Sequence, residues 1–295
     1  MTSLLLAGSI GIGLDKLFFG FDMAIFTFFG NIQSGFLTFL AKLFTSLGGT
    51  PYVMLLGLLA LVLFCFKRTR RLGLAVFLSI IIGTLLVNII VKPMVLRIRP
   101  YNTLQNYGQF FEWYLGAGAL SESDYCFPSG HTNGAFEIAT ALVLYTTRCE
   151  ERKKRKWAWF FVIAAVLVMV SRVYLMVHYA SDVIFGMLFG IVAGILGYAL
   201  SGPICKWINR RKIDYSFDLG RLFKNKVKRF APLGIFIGWL IAFVVSVVIV
   251  FGSGGDAERC AYEGEYKCYN ESKEKYEING EYYCKIHYKE LTQQK

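Results

Sequence analysis

Residues 160–200 read FFVIAAVLVMVSRVYLMVHYASDVIFGMLFGIVAGILGYAL. Two apolar runs, each approaching the ~20 residues that cross a bilayer as a helix, flank a short break that holds Arg172, His178 and Asp182. Further runs stand outward from this pair, LVLF at 61–64, SIIIGTLLVNIIV at 79–91 and IAFVVSVVIVF at 241–251. The whole chain is 55% hydrophobic and only 18% charged, where soluble domains carry roughly a quarter of charged residues. A soluble globular protein is excluded. The fold expected is all-α, a polytopic transmembrane helix bundle.

The net charge of +12 does not point to nucleic acid, because the cations gather in three short linkers between the apolar runs. These are Lys67–Arg71, Arg148–Lys156 and Lys206–Arg229, the cytoplasmic signature of the positive-inside rule. With them inside, about six spans follow, at 52–66, 72–91, 133–148, 157–177, 182–202 and 231–251. Pro51, Pro93, Pro203 and Pro232 mark span ends, where the missing N–H costs least. Residues 1–51 are read as an N-terminal segment without the features of a cleaved signal peptide. Within it Thr27, Asn31, Ser34, Thr38, Lys42 and Thr45 recur at helical spacing. That pattern favours an amphipathic helix at the interface; a tilted span with its polar face in the bundle is the other reading. The catalytic core is 52–202, a basic cytoplasmic linker occupies 203–230, a further span 231–251, and residues 252–295 form a polar extracytoplasmic tail.

Charges beside a membrane span need an explanation. Three groups of them fall on the outer side: Lys92-x6-Arg99-Pro100, Pro128-Ser129-Gly130-His131, and Ser171-Arg172-x5-His178-x3-Asp182. Lys92, Arg99 and Arg172 supply cations suited to phosphate oxygens. Ser129 and Gly130 precede a helix, whose N-terminal N–H groups favour an anion. In a helical turn His178 and Asp182 share a face, so the carboxylate can fix the imidazole tautomer and leave the other nitrogen as nucleophile. His131 then serves as general acid and later activates water. The cations stand in for a metal; neither metal nor cofactor is required.

These residues resemble the type 2 phosphatidic acid phosphatase superfamily, bacterial membrane-bound members in particular, which shares its site with vanadium haloperoxidases. Every motif position matches, over roughly residues 20–202. The resemblance implies a helical membrane bundle with an outward-facing site and metal-independent hydrolysis of a lipid phosphate or diphosphate. The nucleophile and general-acid roles of His178 and His131 agree with the family's mechanism, and vanadate should inhibit. Undecaprenyl diphosphate ranks first among substrates, before phosphatidylglycerol phosphate and phosphatidate. A phosphotransferase and a non-enzymatic lipid-binding protein are the alternatives. The partners implied are the lipid substrate and the bilayer.

Outside the motifs, Gly186, Gly190 and Gly194 continue the stride of Asp182 and read as close helix packing. Tyr101, Tyr107, Phe110, Phe111, Trp113 and Tyr114 read first as an interfacial belt, with an access path for a lipid chain as the functional alternative. Cys126, Cys260, Cys268 and Cys284 are placed outside. Free thiols are the default for these, two disulfides or a zinc site with His287 the alternatives, although the spacing fits no strong finger pattern.

Overall fold

The computed structural model describes residues 2–147, 152–210, 226–252, 259–263, 267–272 and 276–293. Most of the second and third basic linkers, Arg148 and Arg211–Asn225 among them, lies outside the described residues. Apolar runs without interior breakers become helices throughout: α1 (Thr2–Asn31), α2 (Gly35–Thr45), α3 (Thr50–Phe64) and α4 (Arg70–Thr84). Short turns α5 (Lys92–Val95), α6 (Pro100–Thr103) and α7 (Phe110–Gly116) follow, then α8 (Gly130–Thr147), α9 (Arg152–Tyr174), α10 (Ala180–Arg210) and α11 (Lys226–Gly252). α10 packs along both α4 and α8, α9 closes on α8, α3 lies on α4, and α11 lies on α3.

The outer surface carries bare aliphatic and aromatic side chains, Leu17, Phe28, Met54, Ile89, Ile163 and Val248 among them. Such a surface suits a hydrocarbon solvent, in which helices satisfy their own backbone groups; the chain is a membrane protein. Among the described residues, the runs Arg70–Thr103 and Ala180–Arg210 are long and apolar enough to cross a bilayer, and α2 with α3, bent by 41°, makes a third. Trp159–Tyr174 and Ile237–Phe251 are shorter apolar stretches. All six expected spans are helical, although by length and composition fewer than six qualify.

Several boundaries move for physical reasons. The fifth helix runs through Pro203 to Arg210 instead of stopping there. Proline is tolerated in membrane helices where neighbouring side chains and local adjustment satisfy the freed carbonyls; the carbonyl that Pro203 leaves without its helical donor is that of Ala199. The second expected span loosens into π-helical turns at Leu85–Val91 just before Lys92, a widening frequent at functional sites. α9 ends at Tyr174 rather than 177, because Met176 adopts φ +57°. Residues 175–179 become the loop that carries His178.

The polar stripe of the first fifty residues is divided between two helices, since α1 stops at Asn31 and Ser34 caps α2 by accepting from the Leu37 N–H. α2 is amphipathic as expected, but its polar side chains turn inward. The Thr38 hydroxyl meets Tyr174 at 3.1 Å and buried Thr45 receives a bond from Arg172, while Phe36 and Phe39 point outward. The arrangement matches the second reading, a polar face in the bundle. In the tail, residues 276–293 build a hairpin of β1 (Glu277–Ile278) and β2 (Glu281–Tyr282), then α12 (Lys285–Gln293). Asn279 and Gly280 turn it with φ +54° and +86°, the two positive values a tight hairpin needs.

Candidate active site

The site lies where α5 ends, α8 begins, and α9 passes to α10. Gly130 opens α8, and Ser129 caps it, its hydroxyl oxygen accepting from the Thr132 N–H at 3.4 Å. Close packing sets the position of this turn: a methyl group on Gly186 of α10 would meet the Ser129 carbonyl at 2.6 Å, and one on Gly190 the Asn133 carbonyl at the same distance. The glycine stride is thus a packing device. The Ser129 N–H donates to the Asp182 carbonyl at 3.1 Å, so it is committed within the fold rather than offered to an anion. Gly130 retains the expected place at a helix N-terminus, where N–H groups lack intrahelical partners.

The three cations expected to share a pocket do so, and two carboxylates hold them there. Asp124 accepts from Lys92 and, at 2.6 Å, from Arg99. Glu122 accepts from Arg99 at 2.5 Å and from Arg172, with His131 Nδ1 3.8 Å from the same carboxylate. Burial alone would raise the Glu122 pKa, but the Arg172 and Arg99 guanidiniums hold it well below the usual carboxylate range. Asp124 is held low by Lys92 and Arg99 against the same desolvation. Both acids are ionised, and both sit on the loop before Pro128. Sequence reasoning missed them; their signal was two acids within ten residues of His131 in an outer loop otherwise facing cations.

His178 is buried in the loop before α10, its Nε2 3.3 Å from an Arg99 guanidinium nitrogen. Burial, then the nearby Arg99 and Arg172 charges, push its pKa well below the ordinary imidazole value, so the ring is neutral. Nδ1 faces Asp182 at 3.5 Å without meeting hydrogen-bond geometry, and among the described residues it has no hydrogen-bond partner. Asp182 is engaged elsewhere. Its carboxylate accepts from Arg97 at 2.5 Å and from the Tyr179 N–H at 3.1 Å, the latter a capping-box contact at the start of α10. Arg97 also binds Asp15 at 2.7 Å and Asp22 at 3.0 Å from α1 and stacks over Tyr179 at 3.8 Å. Arg97, Asp15 and Asp22 were also missed, though a buried arginine beside a span implies acids somewhere in the chain.

The expected aromatic belt is corrected by burial. Tyr101, Phe110 and Tyr114 lie in the core beneath the site and Trp113 packs on Gly30 of α1, leaving Tyr107 outermost. Tyr101 and Tyr114 stack at 4.9 Å. Replacing Tyr114 would therefore disturb the core rather than test a lipid path.

The profile of the PAP2 superfamily matches residues 72–206, which hold all three motifs. An undecaprenyl-diphosphatase of Sulfolobus acidocaldarius is 32% identical over 197 residues, 63% of this chain and 82% of that protein. The chain belongs to the PAP2 superfamily. This PAP2 protein is accordingly a membrane-bound phosphoric ester hydrolase. It is also 32% identical over 124 residues to a lipid A 4'-phosphatase of Porphyromonas gingivalis, 42% of this chain and 48% of that one. A solved PAP2 type phosphatidylglycerolphosphate phosphatase of Bacillus subtilis superposes with a TM-score of 0.54 at 22% identity. That match covers 69% of this chain and 96% of the other, a likeness of fold.

Proposed function

We propose that this PAP2 protein hydrolyses a lipid phosphate or diphosphate at the extracytoplasmic face of the membrane, with undecaprenyl diphosphate first in rank. The observation that carries the reading is the convergence of Lys92, Arg99 and Arg172 on two loop carboxylates beside a neutral His178. An arriving phosphoryl group replaces those carboxylates and takes over their hydrogen bonds. Charge-assisted donors already oriented for anionic oxygens then stabilise the extra charge of the transition state without reorganising.

His178 Nε2, on the cation side of the ring, attacks phosphorus, while Nδ1 faces Asp182 at 3.5 Å. The P–O bond to the leaving group breaks as His131 delivers a proton to the departing oxygen. Water then attacks the phosphohistidine, returns a proton to His131, and breaks the N–P bond to release phosphate. Charge supports this facing. The site end of the bundle is opposite the end where α4 begins at Arg70 and α10 finishes at Arg210, and basic residues mark the cytoplasmic side. The diphosphate preference rests on the 82% coverage of the archaeal relative.

The test is phosphate release in detergent, in a short assay with EDTA, on undecaprenyl diphosphate, phosphatidylglycerol phosphate and phosphatidate side by side. The expected result is release from the first at the highest kcat/KM, abolished by His178→Ala. No release from any of the three, with His178→Ala indistinguishable, would overturn the hydrolase reading; a faster phosphatidate reaction would overturn the ranking.

A further inference from the structure

The tail contains a second constellation, distinct in kind from the first. Cys260, Cys268, Cys284 and His287 are all buried, and one ligand atom from each falls in a group whose members lie within 4.8 Å of one another. The His287 Nδ1 is 3.4 Å from the sulfurs of both Cys260 and Cys284. In a tetrahedral zinc site with Zn–S of about 2.3 Å and Zn–N of about 2.0 Å, the ligand atoms stand roughly 3.5–3.8 Å apart. These two His287–sulfur distances already fit, and the sulfurs, within 4.8 Å of one another, need to draw in by at most about 1 Å. Three sulfurs are an odd number, so pairing among themselves leaves one over. Cys126, the other thiol on this side, packs in another cluster and donates to the Ile98 carbonyl.

The surroundings have the character of an outer shell. The Cys284 N–H donates to Cys260 Sγ at 3.2 Å, and Asn270 Nδ2 to Cys284 Sγ at 3.4 Å. Such donors stabilise thiolates. His287 stacks flat on Tyr262, rings 3.8 Å apart, while its Nε2 faces Glu290 at 3.9 Å. A ligating histidine ordinarily turns its second nitrogen to a carboxylate in this way. Among the described residues, the buried hydrophobic core of the tail otherwise amounts to Ile286 with its half-buried neighbours Tyr125, Tyr262 and Tyr283, too little to fix so short a segment unaided.

We propose that Cys260, Cys268, Cys284 and His287 bind one zinc ion as a closed structural site, which braces the rim of the active site. The bracing runs through named bonds. Asn270, tied to Cys284, accepts from the Tyr101 hydroxyl at 2.9 Å and from Asn102 Nδ2 at 3.0 Å. Tyr269 N–H donates to Asn102 Oδ1 at 2.9 Å and Gln105 Nε2 to the Lys267 carbonyl at 2.6 Å. The Tyr101 oxygen in turn accepts from the Glu122 N–H at 3.1 Å. From metal to anion pocket the path is four residues long: Cys284, Asn270, Tyr101, Glu122. Soft thiolates with one imidazole and no open position suit zinc, which is redox-inert and tetrahedral.

The experiment is elemental analysis of the full-length protein purified in detergent after expression with zinc. It is paired with growth on Co2+ and visible spectroscopy of the wild-type protein. One zinc per chain is expected, retained in His178→Ala and lost in Cys268→Ser, with the d–d and thiolate charge-transfer bands of tetrahedral cobalt. Zinc well below one equivalent with no such bands, or peptide mapping that finds these cysteines in disulfides, would overturn the site. The wild-type measurements stand even if Cys268→Ser fails to fold, and they do not depend on which lipid is the substrate. For the bracing role, Asn270→Ala keeps the four ligands and should raise KM by about tenfold with kcat nearly unchanged. An unaltered KM would overturn the brace, as would a fall of kcat to the level of His178→Ala.

Discussion

Arg97 and Arg99 stand two residues apart, both fully buried, each surrounded by carboxylates, and they do opposite things. The acids around Arg97 come from packed helices, Asp15 and Asp22 of α1 and Asp182 of α10, with side chains 31%, 2% and 0% exposed. The acids around Arg99 come from a loop, Glu122 and Asp124, 26% and 35% exposed. The first set belongs to packed helices and spends its charge on tying α1 to the start of α10. On the proposed reading, the second set moves aside for a ligand of like charge. An arginine is thus available to substrate only where its counter-ions ride on a segment free to exchange them.

The contrast breaks first at Arg97. Arg97→Met leaves buried carboxylates unpaired and should cost about 3–5 kcal/mol, whereas Arg99→Met leaves acids that still reach solvent and should cost less, while abolishing phosphate release. Thermal unfolding in detergent separates the two, and equal losses of Tm would sink the distinction. Gly186→Ala presses on the Ser129 carbonyl and should destabilise by about 1–3 kcal/mol with a matching fall in kcat. A variant as stable and active as wild type would mean the α8–α10 contact gives way freely. Glu122→Gln with Asp124→Asn removes the competing charges, so KM and the vanadate inhibition constant should fall about tenfold, or about 1.4 kcal/mol. A rise in either would make these acids part of the binding machinery rather than its placeholders. Tyr101→Phe loses only the hydroxyl that touches Asn270 and Glu122; a KM change worth about 0.5–1.5 kcal/mol is expected, with Tm almost unmoved.

The helical architecture and all the motif residues were legible in the sequence because each had to be there for its own reason. Apolar length announces a span, and cations at one end of several spans announce an anion. What was not legible was the set of partners that occupy those cations. The spacing of Lys92 and Arg99 singles them out, yet it is silent on Arg97, which differs only in which acids the fold brings to it. Asp22, 75 positions upstream of Arg97, gives no local signal at all. Likewise the bond expected to orient His178 is displaced, because Asp182 must also answer to Arg97 and to the cap of its own helix. The tail's cysteines failed to fit a known spacing and so looked ambiguous; only their three-dimensional proximity to His287 distinguishes a ligand set from loose thiols.

Asp22 has one more implication. Its carboxylate receives the Ser181 N–H and hydroxyl, both at 2.8 Å, as well as Arg97, so α1 holds the start of the helix that carries Asp182. Yet the stretch by which the superfamily is recognised begins only at residue 72. A gene fragment cut to that stretch would inherit the full signature and lose the foundation beneath it. In this chain the boundary of recognition and the boundary of the working enzyme are different places.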